Sequence, residues 1–381
     1  MSITLPQPQD HEPCVSPRLS PTDHTEDRLR LAVVAPPWFE LPPVGYGGTE
    51  AVVAALVDSL VDRGHEVTLV ASGRHRTRAQ HFVQVYEEPP SALLGTPMPE
   101  VQAAAIAAEA LADLDVDLVH DHSLAGPLLA RGRGVPTVAT LHGPATGANG
   151  DYFERLGRSI DVIAISEAQR RLNPRINWVG VVHNAVDVAS FPFVEKKDDF
   201  VLWLGRFSPD KGAHLAIDAA RKAGRRIVLA GKLNEPEEKD YFRDRIEPRL
   251  GPDATYVGEA DAELKRELFG RAACLAFPIQ WEEPFGMVMV EAMACGTPVV
   301  ALRRGSVPEV VADGVSGIIV DRAEDLAAGI ERAGDLSPFA CRRHATGHFD
   351  LPVMAAGYER IFRMLAEGSR GLRDLTVARS A

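Results

Sequence analysis

Apolar positions along the chain follow two alternating rhythms. Short, almost uninterrupted runs of β-branched and aliphatic residues occur at 29–35, 66–71, 117–120, 136–141, 161–165 and 178–182, and stretches with helical spacing separate them. Strands this apolar have no polar face to turn to water, so the pattern predicts a parallel sheet covered by helices on both sides. The rhythm breaks at 191–199, where Pro, Lys, Glu and Asp take over as they do in an exposed linker. It then restarts with strands expected at 200–204, 226–230, 254–257, 273–277, 298–302 and 317–320. Helices are expected over 212–223, 236–250, 261–270 and 286–294, and the chain reads as helical from Arg322 onward. The fold class is therefore α/β with two sheets: an N-terminal domain at 29–190, a linker at 191–199, a C-terminal domain at 200–350 and a helical tail at 351–381. The tail is expected to pack back on the first domain. Residues 1–28, rich in Pro, His, Ser, Thr and Asp, read as a disordered leader with no secretory signal.

The length of 381 residues agrees with two cores, because single cores rarely grow far beyond ~250 residues. The net charge of −12, from 41 Lys+Arg against 53 Asp+Glu, argues against nucleic acid as a partner. No apolar run approaches the ~18 residues that cross a bilayer, so no integral membrane segment is expected. Cys14, Cys274, Cys295 and Cys341 lack ligand-like spacing and read as reduced residues of a cytoplasmic protein.

Candidate chemistry sits in three loops. Gly45, Gly47 and Gly48 lie between the first strand and first helix, where backbone amides can approach an anion; a flexible turn capped by Thr49 is the competing reading. Arg206 and Lys211 bracket the turn after the first strand of the second half and can converge on a diphosphate, unless they are ordinary solvated charges. In Trp281–Pro298, Glu283 precedes a helix that opens at Gly286, and Glu291 lies inside an otherwise apolar helical run. A carboxylate buried there must accept hydrogen bonds, for which vicinal ribose hydroxyls are well matched; a solvated stripe on an amphipathic helix, or pairing with a nearby cation, is the competing reading.

Glu283 and Glu291 with seven residues between them, followed by Ala292–Ala301, resemble the signature of the retaining glycosyltransferase family 4. Gly205-Arg206 with Lys211, Gly47-Gly48, Leu141-His142-Gly143 and Pro308-Glu309-Val310 are similar to its other marks, and the resemblance spans 29–360. It implies the GT-B fold of two facing Rossmann-like domains, with the acceptor on the first and a nucleotide-sugar donor on the second. The resemblance further implies that Arg206 and Lys211 grip the donor pyrophosphate, Glu291 the ribose and Glu283 the transferred sugar. Amides of Phe285, Gly286 and Met287 would face sugar and phosphate, Gly47 and Gly48 would close on the diphosphate, and His142 would lie beside the sugar. The segment 36–43 departs from the family pattern and is expected to serve the acceptor.

The expected reaction is hexosyl transfer from a nucleotide-sugar, UDP- or GDP-linked first, to a small-molecule, glycan or lipid-linked acceptor. An Arg/Lys pair with helix amides can stabilise the leaving phosphate, so neither a metal nor a separate cofactor is expected. Phosphorylase, epimerase or inactive binding protein are alternatives on the same architecture. His120-Asp121-His122 could ligate a metal only with a third partner, and Ser166 reads as a helix cap because it lacks a nucleophile elbow.

Overall fold

The computed structural model describes residues 28–45 and 47–380, with side chains of the last helix described as far as residue 368. Apart from Arg28, the expected leader lies outside the described residues, as do Cys14 and Tyr46 of the glycine loop.

The first sheet contains β1 (Arg30–Val34), β2 (Glu66–Ala71), β3 (His81–Gln84), β4 (Leu118–Asp121), β5 (Thr137–Leu141), β6 (Asp161–Ala164) and β7 (Trp178–Val181). The second contains β8 (Phe200–Leu204), β9 (Arg226–Ala230), β10 (Ala254–Tyr256), β11 (Cys274–Phe277), β12 (Val299–Leu302) and β13 (Gly317–Val320). All pairings between these strands are parallel, in the orders β3-β2-β1-β4-β5-β6-β7 and β10-β9-β8-β11-β12-β13. Central strands such as β4, β11 and β12 are buried at every position, which is why their sequences carry no polar alternation.

Helices α1 (Gly48–Asp62), α2 (Pro97–Asp113), α3 (Gly147–Leu156) and α4 (Glu167–Leu172) connect the first sheet. The second is connected by α5 (Ala213–Lys222), α6 (Pro236–Tyr241), α7 (Ala262–Arg271), α8 (Met287–Ala294) and α9 (Val307–Val310), and followed by α10 (Leu326–Ala333), α11 (Pro338–Phe349) and α12 (Leu351–Ser380). Met354, Tyr358 and Phe362 of α12 are buried in the core of the first domain, beside Leu31 and Leu56, so α12 returns to the domain that contains β1. Among the described residues, no helix is long and apolar enough to cross a membrane.

Three local departures from the sequence pattern have physical causes. The pattern passes over β3, an edge strand whose residues are all exposed or half-buried. The helix expected over 236–250 is broken into α6, a wider π turn at Phe242–Ile246 and a short turn at Glu247–Arg249 that contains Pro248. The segment 191–199 is tied to the second domain: Lys197 Nζ donates to the carbonyls of Gly270 and Cys295 and to Thr297 Oγ1, each at 2.9 Å.

Strand order places the site. In each sheet the chain steps outward in both directions from one central strand, β1 flanked by β2 and β4, and β8 flanked by β9 and β11. Loops leaving the carboxyl ends of such a pair diverge, and the crevice between them is where open α/β sheets hold ligands.

Candidate active site

In the second domain the crevice lies between the loops after β8 and β11. Gly212 closes the first loop with φ +69°, and a Cβ there would fall 2.3 Å from the carbonyl oxygen of Pro278 in the second. Only glycine permits that approach. Gln280 N donates to Asp210 O at 2.7 Å, and Trp203 Nε1 donates to Lys211 O at 3.1 Å, so both loops are fixed from their backbones. Lys211 Nζ then meets Glu283 Oε2 at 2.6 Å, with the ammonium 5.2 Å from the Trp281 ring centre. Both side chains are largely buried.

Arg206 stands apart from that pair. Its side chain is 47% exposed, with Nη1 3.9 Å from Glu238 Oε1, and it lines a cavity of about 460 Å³ together with Gly205, Lys232, Asp261 and, from the first domain, Gly45. The two cations therefore occupy one loop in different states, Lys211 paired and Arg206 open to the cleft. Ser208 Oγ, buried between them in sequence, has no hydrogen-bond partner.

Gly286, with φ +79°, starts α8, and a Cβ there would lie 2.7 Å from Met289 Cε and 3.2 Å from Phe277 Cζ. The Phe285 ring is core, 2% exposed, so only its backbone is available to a ligand. Met287 packs against the cores of both domains. Glu291, one of the few acids inside an apolar helix, has found the cation that was one of its two expected partners: Oε1 accepts from Lys265 Nζ at 2.7 Å. Its Oε2 is buried and has no partner. An uncompensated carboxylate oxygen is expensive to bury, and this one has acceptor capacity to spare.

In the first domain, Gly47, Gly48, Glu50, Glu100, His122 and His142 line a cavity of about 430 Å³, roofed in part by Pro36, Trp38 and Phe39 of the segment expected to serve the acceptor. His142 Nε2 and His122 Nδ1 share one hydrogen at 2.8 Å, and His120 behind them bonds Thr140 Oγ1 at 2.7 Å, which in turn lies 3.2 Å from Tyr358 OH of α12. Burial lowers all three imidazoles, His142 to about 4 and His120 to about 3, with His122 also well below its ordinary value, so the cluster is neutral at pH 7. His120, Asp121 and His122 do not assemble into a metal centre among the described residues, because Asp121 turns away to Ser123 N and Oγ. Ser166 caps α4, accepting from Gln169 N at 3.0 Å, and Cys274, Cys295 and Cys341 are free and buried.

One residue has a structural role that the sequence marks only as part of a Pro-Glu-Val triplet. Glu309 of α9 accepts from the amides of Glu167 and Ala168 at 2.7 and 2.5 Å and lies 3.2 Å from His183 Nε2. It clasps the amino end of α4 in the first domain, and nothing local in its sequence signals that partner.

The family model described as Glycosyl transferases group 1 matches residues 189–343, and that described as Glycosyltransferase Family 4 matches residues 46–190. The chain is 30% identical to D-inositol 3-phosphate glycosyltransferase of Mycolicibacterium smegmatis, over 68% of this chain and 68% of that one. It is 28% identical to phosphatidyl-myo-inositol mannosyltransferase of the same species, over 89% of this chain and 94% of the relative. Among solved structures it resembles AviGT4, a glycosyltransferase involved in avilamycin A biosynthesis, with a TM-score of 0.68 and 27% identity over 89% of this chain and 98% of that one.

Proposed function

Given that the chain belongs to glycosyltransferase family 4, has the GT-B fold and is a glycosyltransferase, we propose that it moves a hexosyl group from a nucleoside-diphosphate-sugar to an acceptor hydroxyl with retention of anomeric configuration and without a metal. The observation that carries this reading is the meeting of Lys211 and Glu283 at the crevice between β8 and β11, with Arg206 open to the cleft opposite Gly45. A ligand diphosphate would draw Lys211 from its carboxylate partner and gain Arg206 as a forked donor.

In this reading the glycosidic C1–O bond to phosphate breaks, and charge grows on the diphosphate where Arg206, Lys211 and the amides at Gly286 and Met287 can stabilise it. The acceptor oxygen bonds C1 on the same face, and its proton passes to the departing phosphate oxygen. Glu283, freed as Lys211 turns to phosphate, would bind hydroxyls of the sugar, and Glu291 Oε2 would take a ribose hydroxyl. His142, neutral and held in one ring orientation by His122, would position the sugar, while Gly47 and Gly48 would close on the diphosphate.

Thermal stabilisation by UDP, GDP, ADP and their sugars tests the donor site, with UDP or GDP expected to raise the melting temperature. Failure of every nucleoside diphosphate to do so sinks the reading. Products formed from the stabilising nucleotide-sugar with acceptors, with phosphate or alone separate transfer from phosphorolysis and epimerisation.

A further inference from the structure

The first-domain cavity has Gly47, Gly48 and His142 in its wall, the residues given to the donor, and beside them two carboxyls that the donor chemistry does not use. Two carboxyls line it, Glu50 in the first turn of α1 and Glu100 in α2, only 5% and 8% exposed, and no Lys or Arg among the described residues lines it with them. Glu100 accepts from neutral donors, Trp38 Nε1 at 2.9 Å, Leu124 N at 3.2 Å and the amide of Ala125. Glu50 has only its own backbone amide. His122, 6% exposed, also lines the cavity and has an Nε2 with no hydrogen-bond partner. The cavity thus holds one carboxyl without a side-chain donor, Glu50, and an idle imidazole nitrogen.

We infer that this cavity holds the reacting head of the acceptor, and that the head is a polyol or aminopolyol without a phosphate or carboxylate, with Glu50 as the residue that selects it. The inference rests on the reading of the chain as a transferase whose acceptor sits on the first domain. Vicinal hydroxyls supply the donors that Glu50 lacks and can also engage His122 Nε2, and an ammonium would be welcomed by two carboxyls. A phosphate would meet Glu100 and, once it has lost its proton above about pH 7, Glu50 in a partly dry space where like charges repel strongly, with no Lys or Arg among the described lining residues to offset them. The diphosphate grip across the cleft is the reverse case: there the exposed group is Arg206, and the carboxylate Glu283 already has a lysine.

Glucose, glucosamine and glucose 6-phosphate form a matched set of probes, and saturation-transfer NMR on the full chain with saturating UDP keeps the donor site occupied. Glucose and glucosamine should bind about tenfold or more tightly than glucose 6-phosphate, and Glu50→Lys should shrink or reverse that ratio. Glu50→Gln, which keeps shape and removes charge, should weaken glucosamine more than glucose. Preference of the wild-type chain for the phosphate, an unchanged ratio in Glu50→Lys, or no binding by any of the three overturns the inference. Thermal stabilisation by UDP, measured alongside, reports on the donor reading separately, so loss of one does not pass for loss of the other.

Discussion

Lys211 and Glu283, 72 positions apart, meet at 2.6 Å because the loops after β8 and β11 cross where Gly212 touches Pro278. The pair gives Lys211 a structural role beside the donor role proposed for it, and that separates it from Arg206.

Arg206→Ala should therefore weaken nucleoside diphosphate roughly ten- to a hundredfold, the equivalent of a lost charge-assisted contact of about 1.5–3 kcal/mol, and leave the melting temperature nearly unchanged. Lys211→Ala should weaken the nucleotide and also lower stability by about 1–3 kcal/mol, because Glu283 is left with no cation at 12% exposure. Adding Glu283→Gln to Lys211→Ala should restore most of that stability but none of the affinity. Denaturation and calorimetry of the four proteins decide it, and equal stability of the two single variants would remove the pair from the account.

Glu309 should act on the relation between the domains. Burial works to raise its pKa, yet His183 and the amides of Glu167 and Ala168 outweigh it and hold the carboxyl below its ordinary value. A depressed carboxyl contributes stability that is present above its unfolded value near 4.5 and is lost as pH falls through the folded one. Glu309→Ala should enlarge the radius of gyration in small-angle scattering and lower transfer, with UDP affinity largely kept. Unchanged scattering and turnover would show that the clasp holds nothing together.

The parts of this molecule legible in the sequence are those encoded locally. Runs such as Val299–Leu302, buried at every position, announce a central strand, and Ser166 before α4 announces its own cap. The positions of Arg206, Lys211, Glu283 and Glu291 follow from the strand-loop-helix rhythm around them. Their partners do not. Lys265 for Glu291, Glu309 for the end of α4, and Glu50 beside Glu100 in one cavity all arise from topology, which joins residues without any shared local pattern. The edge strand β3 was illegible for the opposite reason, since with exposed and half-buried residues it lacks the apolar signal itself.

Glu50 gives a pH dependence of definite sign. Burial raises its pKa from 4.5 to about 7, against the pull of its own amide and with the charge of Glu100 adding to it. The folded state thus holds this proton more tightly, so the contribution of Glu50 to stability is full below about 4.5 and is lost as pH rises through about 7. His122 and His142 share the cavity and shift in the opposite sense, but they are present in both proteins of a comparison. Glu50→Gln should gain stability over the wild type on going from pH 5 to pH 8, by an amount on the order of 2–3 kcal/mol. Urea denaturation of both proteins at the two pH values measures the difference, and a constant difference would mean that Glu50 ionises like an exposed carboxyl.

The two acids of the second domain should separate by ligand. Glu291 has one oxygen on Lys265 and the other buried without a partner, so a ribose hydroxyl would complete it; Glu291→Gln replaces that acceptor with a neutral amide and should weaken UDP and UDP-sugar alike. Glu283 is engaged by Lys211 and would be released when the lysine turns to phosphate. Glu283→Gln should therefore leave plain UDP bound as well as before, or slightly better, because the lysine no longer has a carboxylate to leave. Its effect should appear in turnover, where a sugar contact that strengthens in the transition state is lost, whereas loss of a contact made equally throughout raises mainly the Michaelis constant. Calorimetry with the plain nucleotide and kinetics with the full donor, on both variants, supply the comparison. If Glu283→Gln weakens the plain nucleotide and Glu291→Gln does not, the two acids exchange roles, and the unpartnered oxygen of Glu291 is left as a feature of packing rather than of recognition.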